Sequence, residues 1–580
     1  MKLTGSEIII QVLKMHGIDV VAGIPGGYIL PFYDTLAKSG IRHVLVRHEQ
    51  AAGFVAQGIA RTTGKPAVCL ATSGPGAINL LTSVADARCD SVPIIAITGQ
   101  VPTSFIGTDS FQEGDTFGLS MPITKHSAMI KRVEDVLETV LSAFEIAASG
   151  RPGPVLIDVP RDVQVAQLDV TDAELSAARK RIADFDRFAE GRRNLFRTKS
   201  GDYDALVAQF ADVLAGAKQP VLYIGGGAQS PEAAAAIASF RAAYTAPVVT
   251  SLMGVGVTES AESLGMVGMH GSYAANRAMH DADCVFVLGA RFDDRAAGVS
   301  SQFCPNAKIL HIDVDAAEIG KILPPFASLV YDVQTALPAV TAAVQAAVAG
   351  GETAQVREAW YRDMQALKAE TDNLLVGRRT ESALPNPRAF IAGVPAFAEQ
   401  CGLSARDIIV TTDVGQHQMW TAQCYPFVRP RQLLTSGSLG TMGFGLPTAV
   451  GAALANPGKR VICFSGDGSI LMNVQELATL AEQQLDVTVI VLENGTLGMV
   501  RQQQKFLFEK NYSASVFMQN PDFVAVARGF GLRAADANAE SDWHKTAFAK
   551  GPCLVRLRID PEEDVLPFVV AGHANIDSLR

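Results

Sequence analysis

The chain has 580 residues, 48% of them hydrophobic, and its 49 basic and 59 acidic side chains give a net charge of −10. This length and composition are typical of a soluble α/β enzyme of several domains. The acidic balance argues against a nucleic-acid or anionic-membrane surface. The sequence contains neither a run of the roughly 18 apolar residues that a membrane span needs nor a signal peptide, so we expect a cytoplasmic protein.

The first predicted domain, residues 1–165, alternates apolar strand-like runs with helical segments. This alternation predicts a doubly wound, mostly parallel sheet. The predicted strands are Val20–Ala22, His43–Val46, Ala67–Ala71, Val92–Thr98 and Val155–Val159.

Polar or glycine-rich turns follow three of these strands. Gly23–Gly27 follows the first strand, Arg47-His48-Glu49 follows the second and opens a helix, and Ser73–Gly76 follows the third. The carboxyl edge of a parallel sheet is where α/β proteins bind ligands. By itself, a carboxylate such as Glu49 at a helix start usually only complements the helix dipole.

Two segments of the same domain, Gly107–Glu113 and Pro122–Ser127, have neither helical nor strand periodicity. Loops of this kind commonly carry binding residues. The charged stretch between about Arg161 and Asp204 is interpreted as a linker with some helix.

The second predicted domain, residues 200–348, has strands that end in glycine or aspartate. Pro220–Ile224 ends at Gly225-Gly226-Gly227, Cys284–Leu288 at Gly289, and Lys308–Ile312 at Asp313. Such endings suggest a nucleotide crevice, although a triple glycine is equally compatible with a structural turn.

A polar stretch, roughly Gly350 to Pro387, precedes the third predicted domain, residues 385–565. Here Asp407–Val410 is a predicted strand, and Ser436–Pro447 is glycine-rich enough to approach a diphosphate closely.

The stretch from Arg460 to Met499 predicts one strand–helix–strand unit. Val461–Phe464 ends at Gly466-Asp467-Gly468, Met472–Gln484 has helical spacing, and Val487–Leu492 ends at Asn494. A right-handed crossover brings both strand ends to one edge of the sheet, so Asp467 and Asn494 are expected to converge. Their two oxygens suit a Mg²⁺ whose remaining ligands are water and diphosphate oxygens.

The Gly-Asp-Gly and terminal Asn motif resembles the cofactor motif of thiamine diphosphate (ThDP) enzymes. The resemblance implies that Asp467, Asn494 and the Thr496 carbonyl bind Mg²⁺, that Glu49 shares a proton with the aminopyrimidine ring, and that Met442 holds the cofactor bent. The other implied ThDP contacts are Pro25, Gly26, Gly27, Gly74, Pro75, Val414, Gly415, Gln416, His417, Gly440, Gly466, Gly468, Ser469, Leu497, Gly498 and Met499.

The residues from Val101 to Ser127, together with these motifs, resemble the catalytic subunit of acetohydroxyacid synthase (acetolactate synthase) over nearly the whole chain. The family has three doubly wound, mostly parallel domains that bind the pyrimidine of ThDP, FAD and the ThDP diphosphate. Phe111, Gln112, Lys125 and Arg295 are the further implied catalytic residues. The implied FAD contacts are Arg161, Gly225, Gly226, Gly227, Thr250, Ser251, Leu252, Met253, Met269, His270, Gly271, Gly289, Arg291, Asp293, Arg295, Asp313 and Asp332.

The family implies decarboxylation of pyruvate and transfer of the two-carbon unit to a second 2-oxoacid, as in branched-chain amino acid biosynthesis. It also implies a homodimer or tetramer with shared active sites and a possible regulatory small subunit. Residues Leu497–Tyr512 are expected to close over the reactants, and the tail after Pro567 to cap the same site.

Two residues depart from the family pattern. Gln503 replaces a tryptophan that favours 2-oxobutanoate as acceptor, and Tyr28 stands where a small residue is expected. The alternatives are a related ThDP-dependent 2-oxoacid decarboxylase or carboligase with a different donor or acceptor, and a pyruvate-oxidase-like flavoenzyme. A protein that only binds nucleotides or partners is disfavoured by Glu49, Asp467 and Asn494 together, and a dehydrogenase by the lack of G-x-G-x-x-G opening a helix.

The eight cysteines are scattered without CxxC pairs, and several, such as Cys69, Cys284 and Cys463, lie in apolar contexts. They are expected to be reduced core residues rather than disulfides or metal ligands.

Overall fold

The computed structural model describes residues 1–192, 200–348, 351–377 and 382–579. Within these ranges the fold consists of three parallel-sheet α/β domains and one small antiparallel pair of strands. No helix in the described ranges is long and apolar enough to cross a membrane. All eight cysteines are free, which agrees with the expectation from sequence.

The first domain is built on a six-stranded parallel sheet of order β3-β2-β4-β5-β7-β6. Its strands are β1 (Lys2–Thr4), β2 (Val20–Gly23), β3 (Arg42–Leu45), β4 (Ala67–Ala71), β5 (Ile94–Gln100), β6 (His126–Met129), β7 (Val155–Pro160) and β8 (Gln167–Asp169). Its helices are α1 (Gly5–Met15), α2 (Leu30–Ala37), α3 (Glu49–Thr63), α4 (Pro75–Cys89), α5 (Thr116–Ser120), α6 (Val136–Ala148), α7 (Arg161–Val165) and α8 (Asp172–Arg192).

Two sequence interpretations in this domain were wrong. His126 and Ser127, taken as the end of a loop, begin the edge strand β6, which pairs in parallel with β7. The stretch taken as a linker is mostly helix: α8 buries Leu175, Ala178 and Ile182 against the first-domain core. Residues 193–199 of the predicted linker lie outside the described residues.

The central domain has a five-stranded parallel sheet of order β10-β9-β11-β12-β13. The strands are β9 (Pro220–Ile224), β10 (Val248–Thr250), β11 (Cys284–Leu288), β12 (Lys308–Asp313) and β13 (Ala327–Val330). The helices are α9 (Ser200–Gly216), α10 (Pro231–Ala243), α11 (Tyr273–Asp281), α12 (Asp294–Ala297), α13 (Val333–Ala347) and α14 (Glu352–Gly377). The sequence missed β10 and β13.

The polar stretch after this domain is also a helix over most of its described part. Arg357, Trp360 and Met364 of α14 are buried, and Trp360 donates its indole N–H to the Pro220 carbonyl at 3.1 Å. The polar stretch therefore contains helix α14 over 352–377, whereas residues 349–350 and 378–381 lie outside the described ranges.

The third domain has a six-stranded parallel sheet of order β15-β14-β16-β17-β19-β18. The strands are β14 (Ile408–Thr412), β15 (Leu433–Leu434), β16 (Arg460–Gly466), β17 (Val487–Glu493), β18 (Arg533–Asp536) and β19 (Cys553–Arg558). The helices are α15 (Pro387–Gln400), α16 (Gln416–Cys424), α17 (Gly445–Ala455), α18 (Asp467–Ile470), α19 (Glu476–Gln483), α20 (Gly498–Leu507), α21 (Phe523–Gly529) and α22 (Trp543–Phe548).

The first and third domains of one chain share a hydrophobic core because helices α3 and α17 pack at backbone contact. A Cβ at Gly58 would lie 2.2 Å from the Thr448 carbonyl oxygen, and one at Gly451 would lie 2.0 Å from that of Val55. Only glycine permits this approach. The contact joins the helix that begins at Glu49 to the helix that follows the glycine-rich segment of the third domain.

Candidate active site

Asp467 and Asn494 meet at the carboxyl edge of the third sheet, as the strand–helix–strand pattern predicts. The strands that precede them, β16 and β17, are parallel neighbours in which Gly466 pairs with Leu492. Asp467 Oδ2 accepts hydrogen bonds from the backbone N–H groups of Asn494 at 3.2 Å and Gly495 at 2.7 Å. The helix between the strands begins at Glu476 rather than at Met472.

These two strand ends border a cavity of about 230 Å³. Every third-domain residue that the sequence assigned to ThDP or Mg²⁺ lines it: Val414, Gly415, Gln416, His417, Gly440, Met442, Gly466, Asp467, Gly468, Ser469, Asn494, Thr496, Leu497, Gly498 and Met499. Sequence reasoning missed Gln418, Trp420, Leu492, Val500 and Ile559. Gln418 and Trp420 could have been found from their place in the helix that Gln416 opens, whereas Ile559 follows a strand that the sequence did not reveal.

The oxygen atoms of Asp467 and Asn494 fit a hard divalent cation. Asp467 is buried, which raises the pKa of its carboxyl group to about 6 even though Asn520 and the Gly495 and Asn494 N–H groups donate to it. The hydrogen bonds that it accepts from Asn494, Gly495 and Asn520 all reach Oδ2, so Oδ1 remains for a ligand. Within the described ranges no group of three His, Cys, Asp or Glu side chains could hold a metal, so a cation here would also need other oxygen ligands, from amides, backbone carbonyls, water or a bound ligand.

The opposite wall of the cavity fits an anionic group. Helix α16 begins there, and His417 in its first turn is buried, which lowers the pKa of its imidazole to about 3 and keeps it neutral. Its Nε2 is buried and has no hydrogen-bond partner among the described residues. A helix N-terminus with an unpartnered imidazole nitrogen beside it can bind a diphosphate.

Glycines keep the His417 and Gln416 side chains in place. A Cβ at Gly415 would lie 2.8 Å from the His417 ring, and one at Gly466 would lie 3.0 Å from it. A Cβ at Gly498 would lie 2.1 Å from Gln416 Oε1. Any side chain at these positions would therefore displace a residue of the cavity wall.

The amide of Gln416 is occupied by protein groups rather than free in the cavity. Its Oε1 accepts from Asn494 Nδ2 at 3.1 Å, and its Nε2 donates to Gln502 Oε1 at 3.1 Å and to the Glu563 carbonyl at 2.9 Å. Gln416 therefore orients Asn494 and connects it to helix α20.

Glu49 begins helix α3 at the carboxyl edge of the first sheet, where Asn79 Nδ2 donates to its Oε2 at 3.1 Å. Gly76 borders the other carboxylate oxygen, since a Cβ there would lie 3.3 Å from Oε1. The remaining first-domain candidates, Pro25, Gly26, Gly27, Gly74 and Pro75, follow the neighbouring strands β2 and β4. Among the described residues of this single chain, none from the first domain lines the third-domain cavity.

The segment from Gly107 to Asp115 places Phe111 and Gln112 on the same edge as Glu49. The Glu113 carboxylate closes the segment on itself by accepting the backbone N–H groups of Gly107 and Ser110. Gln112 has a positive φ of 58° and packs against Gly74, where a Cβ would lie 2.7 Å from the Gln112 carbonyl oxygen. Phe111 is 78% exposed in the single chain.

Lys125 lies away from the contact between Gln112 and Gly74, and its side chain is hydrogen-bonded within the first domain. Its ammonium group donates to the carbonyls of Ile146 at 2.5 Å and Ser149 at 2.7 Å, at the C-terminal end of α6. Burial, and next to it the Arg88 charge, lowers the pKa of Lys125 to about 8.

The central-domain candidates lie at the ends of its strands. Gly225–Gly227 follows β9 and Gly289 follows β11, on either side of the point where the strand order reverses. The two turns also pack on each other: Gly227 N–H donates to the Gly289 carbonyl at 3.0 Å. Thr250 ends β10 and is followed by Ser251, Leu252 and Met253; Asp313 ends β12, and Asp332 follows β13.

Asp313 and Asp332 give this edge two carboxylates. Burial raises the pKa of Asp313 to about 6, and its Oδ1 accepts the Asp315 N–H at 2.8 Å. Asp332 caps α13 by accepting the Gln334 N–H at 3.0 Å. Glycine turns at the switch point of a doubly wound sheet, with carboxylates at the ends of other strands on the same edge, fit a dinucleotide.

A second group of central-domain candidates surrounds helix α12. Arg295 is exposed, and one guanidinium nitrogen lies 3.3 Å from Met269 Sδ. Asp293 caps this helix, Arg291 donates to Ser438 Oγ at 2.7 Å, and the His270 imidazole stacks on Phe568. Gly271 adjoins His270, and Arg161 begins α7 in the first domain with an exposed side chain.

The tail after Pro567 lies against this second group. Val569 N–H donates to the Met269 carbonyl at 2.9 Å, and Asn575 Nδ2 donates to the Ala296 carbonyl at 2.8 Å. Phe568 also stacks on Phe506 of α20. The tail therefore joins the central domain to the helix that borders the cavity.

Comparison with known proteins gives three consecutive matches to family models. Residues 3–119 match the N-terminal TPP binding domain of thiamine pyrophosphate enzymes, residues 207–340 match their central domain, and residues 413–557 match their C-terminal TPP binding domain.

Curated relatives align over essentially the full chain. Acetolactate synthase isozyme 1 large subunit of Escherichia coli (strain K12) is 46% identical over 99% of this chain and 97% of the relative. Isozyme 2 large subunit of the same organism is 40% identical over 100% of both chains. A probable acetolactate synthase large subunit of Methanocaldococcus jannaschii is 39% identical over 98% of this chain and 94% of the relative.

Proposed function

The chain belongs to the acetolactate synthase large-subunit family of ThDP enzymes, and on that premise we propose that it decarboxylates pyruvate and joins the two-carbon unit to a second 2-oxoacid, giving 2-acetolactate and CO₂. The observation that carries the proposal is the cavity at the carboxyl ends of β16 and β17, in which oxygen ligands for a cation face the N-terminus of α16. When ThDP is bound, it supplies the electron sink that decarboxylation of a 2-oxoacid requires.

We propose that Asp467, Asn494 and the Thr496 carbonyl hold Mg²⁺, which neutralises the diphosphate. The free Oδ1 of Asp467 supports this assignment, as does Gln416, which fixes the Asn494 amide. The His417 Nε2 atom would complete its hydrogen bonding by contact with the diphosphate. Gly440 and Met442 would border the rest of the cofactor, with Met442 supporting its bent form.

Glu49 would hold the proton shared with ring nitrogen N1′ of the aminopyrimidine. Asn79 fixes the Glu49 carboxylate by donating to Oε2, which leaves Oε1 for the ring. Because none of the described first-domain residues lines the third-domain cavity, we propose that a second copy of the chain supplies Glu49, together with Gly26, Gly27, Gly74 and Pro75. The complete site would then lie between two chains of a homodimer or a larger homo-oligomer.

Phe111 and Gln112 would border the reacting carbons, since their segment lies beside Gly74 on the Glu49 edge. Arg295 would offer a cation to the substrate carboxylate, and Met269 an apolar wall. Helix α20 and the tail would exclude water from the reactants. The role of Lys125 in the substrate channel stays a prediction, because its ammonium group is bonded to α6 carbonyls.

We propose that the central domain binds FAD at Gly225–Gly227, Thr250–Met253, Met269–Gly271, Gly289–Asp293, Asp313 and Asp332, with Arg161 from the first domain. The glycine turns at the switch point support this proposal. A cytoplasmic location is supported by the eight free cysteines, which suit a reducing compartment. The relatives named large subunits support a smaller regulatory partner.

The test is a product assay with purified protein, ThDP, Mg²⁺ and pyruvate. We expect CO₂ and acetolactate, measured as acetoin after acid treatment, and no loss of flavin absorbance under anaerobic conditions. Stoichiometric flavin bleaching by pyruvate would instead indicate an oxidase, and an aldehyde as the main product would indicate a decarboxylase.

A further inference from the structure

The glycine-rich loop, residues 436–443, reaches the cavity through Gly440 and Met442 and has neither helix nor strand. Its own domain holds its two ends. Gln418 Nε2 donates to the Ser436 carbonyl at 2.9 Å, and the Gly443 N–H donates to Asp413 Oδ1 at 2.8 Å. The middle of the loop therefore needs other partners to keep one conformation.

Those partners are two aspartates of the first domain in the same chain, at the C-terminal end of α4. The Asp90 carboxylate accepts two successive backbone N–H groups, from Gly437 at 2.8 Å and Ser438 at 2.9 Å. The Asp86 carboxylate accepts the hydroxyl groups of Ser436 and Thr441, the latter at 2.8 Å.

Arg61 of α3 completes the cluster. Its Nη2 lies 2.9 Å from Asp90 Oδ2 and 3.5 Å from Asp86 Oδ1, and its guanidinium carbon lies 5.1 Å from the centroid of the Phe444 ring, which follows the loop. Both aspartate side chains are fully buried. Two neighbouring loop contacts come from the central domain, through Arg291 and Met253.

The burial of these three charged side chains costs desolvation free energy, so the cluster is an unfavourable way to stabilise a contact between domains. Two carboxylates and one guanidinium leave a net buried negative charge, and apolar residues in place of buried ions are often neutral or stabilising. Burial, followed by the charge of Asp90, accordingly raises the pKa of Asp86, against the opposing effect of Arg61. What the carboxylates provide, and apolar side chains would not, is three acceptor oxygens that receive four hydrogen bonds and fix the direction of the loop N–H and hydroxyl groups.

We propose that Asp86 and Asp90 are positioning residues for the cofactor, which hold the glycine-rich loop so that Gly440 and Met442 border the cavity in the orientation that ThDP requires. This inference rests on the proposed function. It assigns the first domain a second task besides presenting Glu49, at the opposite end of the same helix α4 whose Asn79 bonds Glu49.

The test compares the ThDP dissociation constant of Asp90→Asn and Asp86→Asn with that of the wild type, by calorimetry at saturating Mg²⁺. The matched control is Asp283→Asn, because Asp283 also accepts two successive N–H groups, from Lys218 at 2.7 Å and Gln219 at 3.0 Å, but in the central domain. Since each aspartate makes charge-assisted bonds to the loop, we expect the dissociation constant to rise roughly tenfold or more in the two loop variants and to stay unchanged in the control. At saturating ThDP we expect kcat to return close to the wild-type value, which a general structural defect would not allow.

An unchanged dissociation constant in both loop variants, or an equal rise in Asp283→Asn, would overturn the inference. If an aspartate variant does not fold, Thr441→Val decides, because it removes only the hydroxyl group that donates to Asp86. A several-fold weaker affinity for ThDP in Thr441→Val supports the positioning role, and an unchanged affinity overturns it. Failure of the wild type itself to bind ThDP would instead contradict the proposed function.

Discussion

We expect Gln503 to determine which 2-oxoacid the enzyme prefers as acceptor. It lies on helix α20, next to Gln502, whose amide is bonded to both backbone groups of Val565. That bonded neighbour fixes the rotation of the helix, so the partly exposed Gln503 side chain has a defined direction. An amide cannot make the apolar contact with an extra methylene that the tryptophan typical of the family makes.

We predict that Gln503→Trp raises the ratio of kcat/KM for 2-oxobutanoate over pyruvate as acceptor. One methylene in an apolar pocket is worth about 1 to 3 kcal/mol, so the ratio should rise roughly tenfold to a hundredfold. Competition between the two acceptors, with both products quantified, measures it. Gln503→Met is the control, since it is apolar but lacks the ring, and we expect a smaller rise. A ratio that stays the same in the tryptophan variant at unchanged ThDP affinity would exclude this position as the determinant.

At the scale of elements, the buried Asp158 joins strands β5 and β7 to the segment that carries Phe111 and Gln112. Its carboxylate accepts from Thr98 Oγ1 at 2.7 Å and Gln100 Nε2 at 2.9 Å, and the same Gln100 amide donates to the Gly114 carbonyl at 2.9 Å. Burial raises the pKa of Asp158 to about 7, although these two hydrogen bonds lower it.

We predict that Asp158 makes stability depend on pH between about 4 and 7. Because its pKa is higher in the folded chain than in the unfolded chain, its contribution is fully present below the unfolded pKa and is lost as the pH rises through 7. The loss is of the order of 4 kcal/mol. Thermal unfolding of wild type and Asp158→Asn measures it: the wild type should gain stability relative to the variant as the pH falls from 8 to 5. A difference that does not change with pH would contradict the assignment.

The sequence identified those elements whose apolar pattern is determined locally. The fully buried strands β4, β9 and β11 were predicted with the bounds they have, because a short apolar run between turns needs no tertiary information. Edge strand β6, with the sequence His-Ser-Ala-Met, has no such run and forms because β7 offers a free edge. The bounds of helices α8 and α14 were not predicted because their many charged residues obscure the helical spacing of the few residues that they bury.

The candidate site was predicted to the extent that it follows from strand ends. Asp467 and Asn494 converge because the strands that precede them are neighbours. The glycine turns line the same cavity because they too follow the carboxyl ends of parallel strands. Ile559 and Leu492 carry no local signal, since an apolar residue at a strand end looks like core. The Asp86, Asp90 and Arg61 cluster was also invisible, because it joins positions about 350 residues apart.

At the scale of the whole molecule, the site that we propose is incomplete in a single chain. Its cavity has no first-domain lining among the described residues, and its Glu49 edge exposes Phe111 to solvent. Exposed apolar residues near a catalytic edge are typical of a surface that another subunit covers. The assembly is therefore expected to complete what the single chain lacks.

We predict complementation between two inactive variants, Glu49→Gln and Asp467→Asn. A heterodimer contains one site with Glu49 from one chain and Asp467 from the other, both intact. Heterodimers purified through a different tag on each chain should therefore show about half of the wild-type activity per site. The measurement is acetolactate formation by co-expressed, doubly tagged material against each variant alone. Activity no higher than that of the single variants would show that each chain builds its site alone.

The central claim is that the cavity at the ends of β16 and β17 binds ThDP through a Mg²⁺ held by Asp467 and Asn494. Calorimetric titration with ThDP, with Mg²⁺ or with a chelator, tests it in the wild type, in Asp467→Asn and in Asp486→Asn, a control at the opposite end of β17. The account predicts that the wild type and the control bind ThDP saturably, and that the affinity of both falls roughly tenfold or more without Mg²⁺. It predicts that Asp467→Asn binds ThDP equally weakly with and without Mg²⁺. Equal affinity of the wild type and Asp467→Asn in Mg²⁺, or no binding of ThDP by the wild type, would contradict it.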